Sequence, residues 1–152
     1  MASVILRAFD MHDLLDMPDP RNSLEAMAIM RSEEFLEAFE PRSCVAFSGY
    51  VGRDLIGCSG IYDNPQDQKE VWLVGTPLLD RYPLAFHRAV KRWYPKVCKN
   101  LGIDRTVAHV RPDMAKETRW IKSLGFVAQE IVDLHLWGNS APVTYIRFGW
   151  EA

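Results

Sequence analysis

The fold is decided by residues 103–127, whose sequence is IDRTVAHVRPDMAKETRWIKSLGFV. Arg105–Val110 alternates and is rich in β-branched residues, which indicates a strand. Pro112 ends that strand, and the Asp113 side chain is expected to cap a helix with apolar residues at helical spacing. Gly125 ends the helix because glycine adopts the left-handed conformation without strain. This stretch therefore predicts a strand, a tight turn, a short amphipathic helix and the start of another strand.

Working outward, alternating or continuous apolar runs predict six further strands. They cover residues 4–9, 44–50, 55–62, 70–75, 127–136 and 143–150. The second and third are expected to form a hairpin that turns at Gly52.

Three more segments have apolar residues at helical spacing. Asp10 is expected to cap a short helix that contains Leu14, and Asn22 with its following glutamate resembles a capping box for a helix over residues 22–39. Residues 84–99 carry the clearest helical face, and Pro95 is expected to kink or restart that helix.

This order of elements predicts one α/β domain over residues 1–152. Its mixed, mostly antiparallel sheet has about seven strands, with helices on both faces. With 152 residues, 48% of them hydrophobic, the chain is long enough for a full core and shows no repeat or linker.

Composition excludes several function classes. A formal net charge of −2 argues against a nucleic-acid-binding face. One basic cluster is typical of the solvated face of a helix, the alternative being a binding patch; its members are Arg88, Lys91, Arg92, Lys96 and Lys99. Three scattered cysteines and four dispersed histidines predict neither a disulfide framework nor a metal site. No apolar run is long enough to span a membrane, so a cytosolic protein is expected.

The element order and the ending Leu124-Gly125-Phe126 resemble the GNAT superfamily, the acetyl-CoA-dependent N-acetyltransferases. More narrowly, three segments resemble small phage and prophage GNAT-like proteins related to an internal virion, or core, protein of short-tailed phages. These segments are KEVWLVGT (69–76), FHRAVKRWYP (86–95) and TRWIKSLGF (118–126). The narrower resemblance implies a protein of the host cytoplasm, or one incorporated in the virion, whose partners are other phage structural proteins or a host protein.

The GNAT resemblance also implies a cofactor site for acetyl-CoA. The cofactor would lie between the splayed strands 70–75 and 105–110, with its pyrophosphate on backbone amides at the start of the long helix. The positions that the resemblance assigns to cofactor binding are Val74, Gly75, Thr76, Arg81 and Trp120. The expected phosphate loop nevertheless lacks glycine, contains Pro77 and Pro83, which have no amide to donate, and carries the acidic Asp80. Weak or absent coenzyme A binding is therefore expected.

The resemblance does not identify the catalytic acid, because Ile121 occupies the position at which many members of the superfamily have a tyrosine that protonates the departing thiolate. Tyr82, His109 and Tyr145 are the candidate substitutes. Glu70 is a candidate base acting through water, although a carboxylate at a strand entry is also typical of a solvated site. His109 is a candidate because histidine side chains serve as acids and bases in catalysis, and the alternative is a structural histidine.

Two hypotheses follow. Either the acyl-transfer site has degenerated and the protein is a virion, assembly or interaction module, or it is an active N-acetyltransferase that acts on a protein or small-molecule amine. An enzyme requires an open gap and free amides near residues 81–84. The module is expected to expose an apolar patch that includes Trp137 or Trp150.

Overall fold

Seven strands and four helices are described by the structure, a computed structural model that covers residues 3–17, 37, 41–64, 66–135 and 141–152. The strands are β1 (Ile5–Ala8), β2 (Ser43–Val51), β3 (Asp54–Asp63), β4 (Lys69–Gly75), β5 (Arg105–Val110), β6 (Val127–His135) and β7 (Pro142–Glu151). The helices are α1 (Met11–Leu15), α2 (Leu78–Arg81), α3 (Pro83–Leu101) and α4 (Ala115–Ser123).

The strands form one mixed sheet in the order β1-β2-β3-β4-β5-β7-β6. Every neighbouring pair is antiparallel except β4 and β5, which are parallel. The parallel pair has a single register position, Glu70 opposite Val107, so the two strands separate beyond it. The predicted seven-stranded, mostly antiparallel sheet is confirmed.

Helices cover both faces of this sheet. On one face, Cys98 of α3 and Ile121 of α4 pack with Ile61 of β3. On the other, Leu14 of α1 packs with Cys58 of β3. Cys58 and Ile61 are three residues apart on one strand, and side chains at odd spacing point to opposite faces. The prediction of helices on both faces is therefore confirmed.

Local signals act as the sequence predicts at three places. Asp10 caps α1 by accepting a hydrogen bond from the amide of His12 at 2.9 Å. Gly52 has a φ of 61° in the hairpin turn. At the end of α4, Gly125 has a φ of 97°, and the amide of Phe126 bonds back to the carbonyl of Ile121 at 3.3 Å. This geometry turns the chain into β6.

Other predictions are wrong. Asp113 does not cap α4, because its carboxylate binds the guanidinium of Arg111 at 2.8 and 3.1 Å, and Met114 occupies the cap position. The helix α3 continues through Pro95, so of the two alternatives predicted there the restart is wrong, while the kink stays a prediction. Pro95 lies on the exposed face, where the unbonded carbonyl of Lys91 can be hydrated.

Trp150 is half-buried rather than exposed, and its ring contacts that of Tyr94 edge to face at 5.0 Å between centroids. Trp137 and nearly all of the predicted helix over residues 22–39 lie outside the described residues. Within the described part of the chain, no helix is long and apolar enough to cross a membrane. Nor do its His, Cys, Asp and Glu side chains form a group that could hold a metal ion.

Candidate functional site

The gap between β4 and β5 positions the candidate site. After the pair Glu70–Val107 no residues of the two strands are paired, so the carboxyl ends of the strands diverge. The helices α2 and α3 follow β4, while α4 follows β5. Contacts between these two groups of helices therefore span the mouth of the gap.

Glu70 and His109 meet at the narrow end of this gap. Glu70 Oε1 lies 2.7 Å from His109 Nδ1, and the two side chains are only 15% and 5% exposed. Glu70 Oε1 also accepts a hydrogen bond from Asn64 Nδ2 at 3.1 Å, and Oε2 accepts one from the Tyr62 hydroxyl at 3.1 Å. Three side chains thus hold the carboxylate in one position.

The direction of these hydrogen bonds follows from their other partners. Asn64 Oδ1 accepts from the backbone amides of Gln66 and Gln68 at 3.0 and 2.9 Å, which turns the Asn64 NH₂ group toward Glu70. Burial, and then the charge of Glu70, raise the pKa of the Tyr62 phenol, so Tyr62 remains a donor. Glu70 is accordingly an acceptor throughout.

His109 Nδ1 must then carry the proton in the bond to Glu70. In the neutral imidazole this leaves the lone pair on Nε2, which has no hydrogen-bond partner among the described residues. A carboxylate that fixes the tautomer of a histidine is the arrangement of a general base, since it also stabilises the imidazolium that forms on proton uptake.

Residues of β7 lie next to this pair. The ring of Tyr145 is 6.1 Å from the His109 ring between centroids. Arg147 lies opposite His109 in the β5–β7 register, and its guanidinium forms an ion pair with Glu130. Arg147 Nε is buried without a hydrogen-bond partner in the described structure. The opposed charges of Arg147 and Glu130 leave this side of the site close to neutral.

The structure brings together only two of the three predicted catalytic residues. Tyr82 lies between α2 and α3, where it packs against a different cluster that includes Phe86. Sequence reasoning missed Tyr62, Asn64 and Arg147. Nothing local distinguishes Tyr62 and Arg147, because their importance comes from contacts between strands. Asn64 instead bonds to residues two to six positions further along the chain.

The predicted cofactor residues are mostly committed to other contacts. Val74 is fully buried against Leu14 of α1. The Thr76 hydroxyl lies 3.1 and 3.2 Å from the carbonyls of Leu55 and Ile56. Gly75 pairs with Gly57 in the β3–β4 ladder. Arg81 is exposed, with its guanidinium 5.8 Å from the centre of the Tyr82 ring, and Trp120 contacts Phe86.

The backbone at the expected phosphate position offers few donors. Five amides already bond to carbonyls of the protein at 3.0–3.1 Å, those of Thr76, Leu79, Asp80, Tyr82 and Phe86. Pro77 and Pro83 have no amide. Helix geometry leaves the amides of Leu84 and Ala85 without intrahelical acceptors, but the nearby Asp80 carboxylate opposes an anion. These residues do not fit a diphosphate group.

Side chains also close the mouth of the gap. The rings of Phe86 on α3 and Trp120 on α4 are 5.6 Å apart between centroids. Asp80 Oδ1 on α2 lies 2.8 Å from Lys116 Nζ on α4. Beneath them is a cavity of about 20 Å³ whose lining includes Leu73 and Trp120. This cavity is far smaller than the roughly 300–1,000 Å³ of pockets for drug-sized molecules.

Comparison with known proteins supports the architecture. No family model matches the chain, and no curated protein sequence matches it. Among solved structures, a spermidine N-acetyltransferase from Vibrio cholerae in complex with CoA and spermine has a TM-score of 0.66 and 18% identity, covering 98% of this chain and 95% of its own. An acetyltransferase from Bacillus subtilis in complex with CoA has a TM-score of 0.64 and 14% identity, and the match covers 100% of this chain and 99% of that one.

A chimera of the Vibrio cholerae spermidine N-acetyltransferase SpeG and hSSAT gives a TM-score of 0.70 at 16% identity, covering 98% of this chain and 95% of its own. Identities this low establish the architecture and not the activity. The mixed, seven-stranded sheet with its helices nevertheless matches the GNAT fold of these acetyltransferases over nearly the whole chain. The chain therefore has the GNAT fold.

Proposed function

We propose that this protein is a GNAT-fold interaction or assembly module of phage or prophage type in which transfer from acetyl-CoA has been lost. One observation carries the proposal: five backbone amides at the phosphate position, those of Thr76, Leu79, Asp80, Tyr82 and Phe86, are bonded within the protein, and Pro77 and Pro83 have none to donate. The GNAT resemblance implies that the cofactor is held through such amides, and this chain retains the fold with few of these donors.

The energetic argument is simple. Each lost hydrogen bond to a charged phosphate costs about 1.5–3 kcal/mol, and several are lost here. Asp80 adds repulsion, although Lys116 partly compensates its charge. Room for the pantetheine arm would in addition require separation of Phe86 from Trp120, which packs against two hydrophobic clusters.

The phage context is supported by the three sequence segments 69–76, 86–95 and 118–126 described above. We extend the proposal to a location in the host cytoplasm with incorporation in the virion, and to partners that are other phage structural proteins or a host protein. Detection of the protein in purified phage particles by mass spectrometry tests this part separately.

The cofactor test is the melting temperature with and without acetyl-CoA at millimolar concentration. A ligand at a hundredfold excess over its dissociation constant adds about 2.7 kcal/mol, which raises the midpoint of a domain of this size by roughly 5–10 °C. The proposal expects no shift. A shift of that size would overturn it.

A second candidate, an active acetyl-CoA-dependent N-acetyltransferase, is favoured by the Glu70–His109 pair. In that case His109 Nε2 takes a proton from the acceptor amine and Glu70 stabilises the resulting imidazolium. The similar structure from Vibrio cholerae is a spermidine N-acetyltransferase, so spermidine and a panel of peptide amines are the acceptors to test. If the wild type releases the thiol of coenzyme A and His109→Gln does not, the protein is an N-acetyltransferase. If the protein is an interaction module, the wild type releases no thiol.

A further inference from the structure

A thiol, an amine and a carboxylate meet at one end of the sheet, where β2 and β4 begin and β3 ends. Lys69 Nζ lies 3.6 Å from Cys44 Sγ and 2.5 Å from Asp63 Oδ1. Asp63 and Lys69 are opposite each other in the β3–β4 ladder, while Cys44 lies on β2. All three side chains belong to the described part of the chain. The amine of Lys69 therefore connects three strands.

A β-bulge brings Cys44 to this amine. The β2–β3 pairing shifts its register between Ser43 and Val45, which leaves Cys44 as the extra residue. The extra residue of a bulge has no partner in the ladder, and bulges redirect side chains from the regular alternation of a strand. Because β3 lies between β2 and β4, the side chain of Lys69 reaches across β3 to contact the thiol.

Cys44 differs from the other two cysteines of the chain in its access to solvent. Cys58 and Cys98 are 1% and 0% exposed, whereas Cys44 is partly exposed. The side chains of Lys69 and Asp63 are 39% and 42% exposed. A small solute therefore reaches the thiol of Cys44 more readily than the other two.

The charges around Cys44 favour oxidation of its sulfur. The hydrogen bond to Asp63 raises the pKa of the Lys69 ammonium, so Lys69 is positively charged at neutral pH. A neighbouring ammonium stabilises a thiolate, which is the form of cysteine that reacts with peroxide. Once the sulfur is oxidised, the nitrogen of Lys69 is in contact with an electrophile, and the carboxylate of Asp63 is in position to accept a proton from it.

We propose that Cys44 and Lys69 form a peroxide-dependent modification site, at which oxidation joins the two side chains by a sulfur–nitrogen bond. First, the Cys44 thiolate attacks hydrogen peroxide: an S–O bond forms, the O–O bond breaks, and hydroxide leaves. Sulfur is thereby oxidised by two electrons and peroxide is reduced.

In the second step Lys69 gives a proton to Asp63, and its neutral amine attacks the oxidised sulfur. An S–N bond forms, the S–O bond breaks, and the departing hydroxide takes the second proton from nitrogen as water. The hydroxide of the first step takes the proton back from Asp63. One peroxide molecule thus becomes two water molecules, and the protein loses two hydrogen atoms. Excess thiol reverses the reaction by reducing the S–N bond, with oxidation of the added thiol to its disulfide.

The cross-link lies beside the candidate site. Lys69 directly precedes Glu70, and Asp63 directly precedes Asn64, the two side chains that orient His109. The bond therefore restrains the start of β4, from which Glu70 contacts His109. This proposal concerns a surface thiol and needs no acetyl-CoA, so it stands or fails independently of the melting test for the cofactor.

The test is mass spectrometry of the whole chain, reduced and then treated with hydrogen peroxide. The cross-link lowers the intact mass by about 2 Da, and peptide mapping identifies the joined residues. Lys69→Arg keeps a cation beside the thiol without the primary amine, so its sulfenic acid should persist and react with dimedone. Lys96→Arg, at an exposed position on α3, is the matched control. Cys44→Ser removes the thiol, and circular dichroism verifies folding.

We expect peroxide to link Cys44 to Lys69 in the wild type and in Lys96→Arg, and dithiothreitol to reverse the link. The linked protein should melt several degrees higher, because the bond closes a loop between residues 25 positions apart. Lys69→Arg should give the dimedone adduct instead. An unchanged wild-type mass, a sulfenic or sulfinic acid without a cross-link, or a bond from Cys44 to Cys98 would overturn the proposal. Mapping of the wild type decides this even if a variant does not fold.

Discussion

At the scale of single residues, Asn64 shows how a buried polar side chain organises the site. It is 1% exposed, accepts from two backbone amides and donates to Glu70 and Gln68. Asn64 thereby fixes both the loop before β4 and the carboxylate that orients His109. Its partners Gln66, Gln68 and Glu70 lie two to six positions further on, so the signal that could have identified it is an Asx-type turn within the polar loop before β4.

Replacement of Asn64 by Ala should therefore be strongly destabilising. The backbone amides of Gln66 and Gln68 lose their acceptor and Glu70 loses a donor, which costs about 2–4 kcal/mol in the free energy of unfolding. Urea denaturation measures the loss. Gln66→Ala is the control, since Gln66 is exposed and contributes only its backbone amide to this network. Similar losses in both variants would contradict the role assigned to Asn64.

Cys58 should make stability fall at high pH. Burial raises the pKa of its thiol from the ordinary value of 9.0 to about 11 in the folded protein. The folded state then binds the proton more tightly than the unfolded state, so the stabilisation is complete below pH 9 and is lost as the pH rises toward 11. Two pKa units correspond to about 2–3 kcal/mol at most.

Urea denaturation at pH 8 and at pH 10.5, roughly the ends of this range, tests whether the free energy of unfolding falls as the pH rises. The Cys58→Ala variant should show a smaller decrease between the two pH values than the wild type. An unchanged decrease would assign the effect to other groups, such as the buried Tyr94, whose phenol pKa is also raised by burial.

At the scale of elements, the sequence predicts what local patterns determine. The strand β5 alternates over six residues, and the structure has the same bounds. The cap of α4 was predicted wrongly because two partners compete for the Asp113 carboxylate, the amides of the helix and the guanidinium of Arg111. In the structure Asp113 binds Arg111. Glu70 and His109 are both recognisable as candidates from their chemistry, but their contact joins residues 39 positions apart and depends on the β4–β5 register.

Close packing between β2, β3 and β4 gives a prediction at this scale. A Cβ atom on Gly60 would overlap the carbonyl oxygen of Val45 and lie 2.8 Å from Trp72 Nε1. Gly60→Ala should thus force the strands apart and lower the free energy of unfolding by about 2–4 kcal/mol. Gly52→Ala, where no atom lies within 4 Å but φ is 61°, should cost only about 1 kcal/mol. Thermal or urea unfolding compares them, and the reverse order would refute the steric argument.

At the scale of the whole molecule, the sheet consists of two parts joined at one parallel register position. The first part is β1 to β4 and the second is β5 to β7. Contacts across the gap must therefore help to hold the parts together. Trp120 is central to this, because it packs against the clusters around both Ile121 and Phe86.

Trp120→Ala separates the two reasons for weak cofactor binding. Removal of this half-buried ring should cost about 2–4 kcal/mol in unfolding free energy and open the mouth of the gap. Acetyl-CoA should still not raise the melting temperature, since the loop amides remain bonded within the protein. Trp72→Ala is the control for stability, because Trp72 packs edge to face on Phe9 and against the cluster around Leu14. If only Trp120→Ala gains a melting shift with acetyl-CoA, closure by the ring, rather than the missing amides, is what excludes the cofactor.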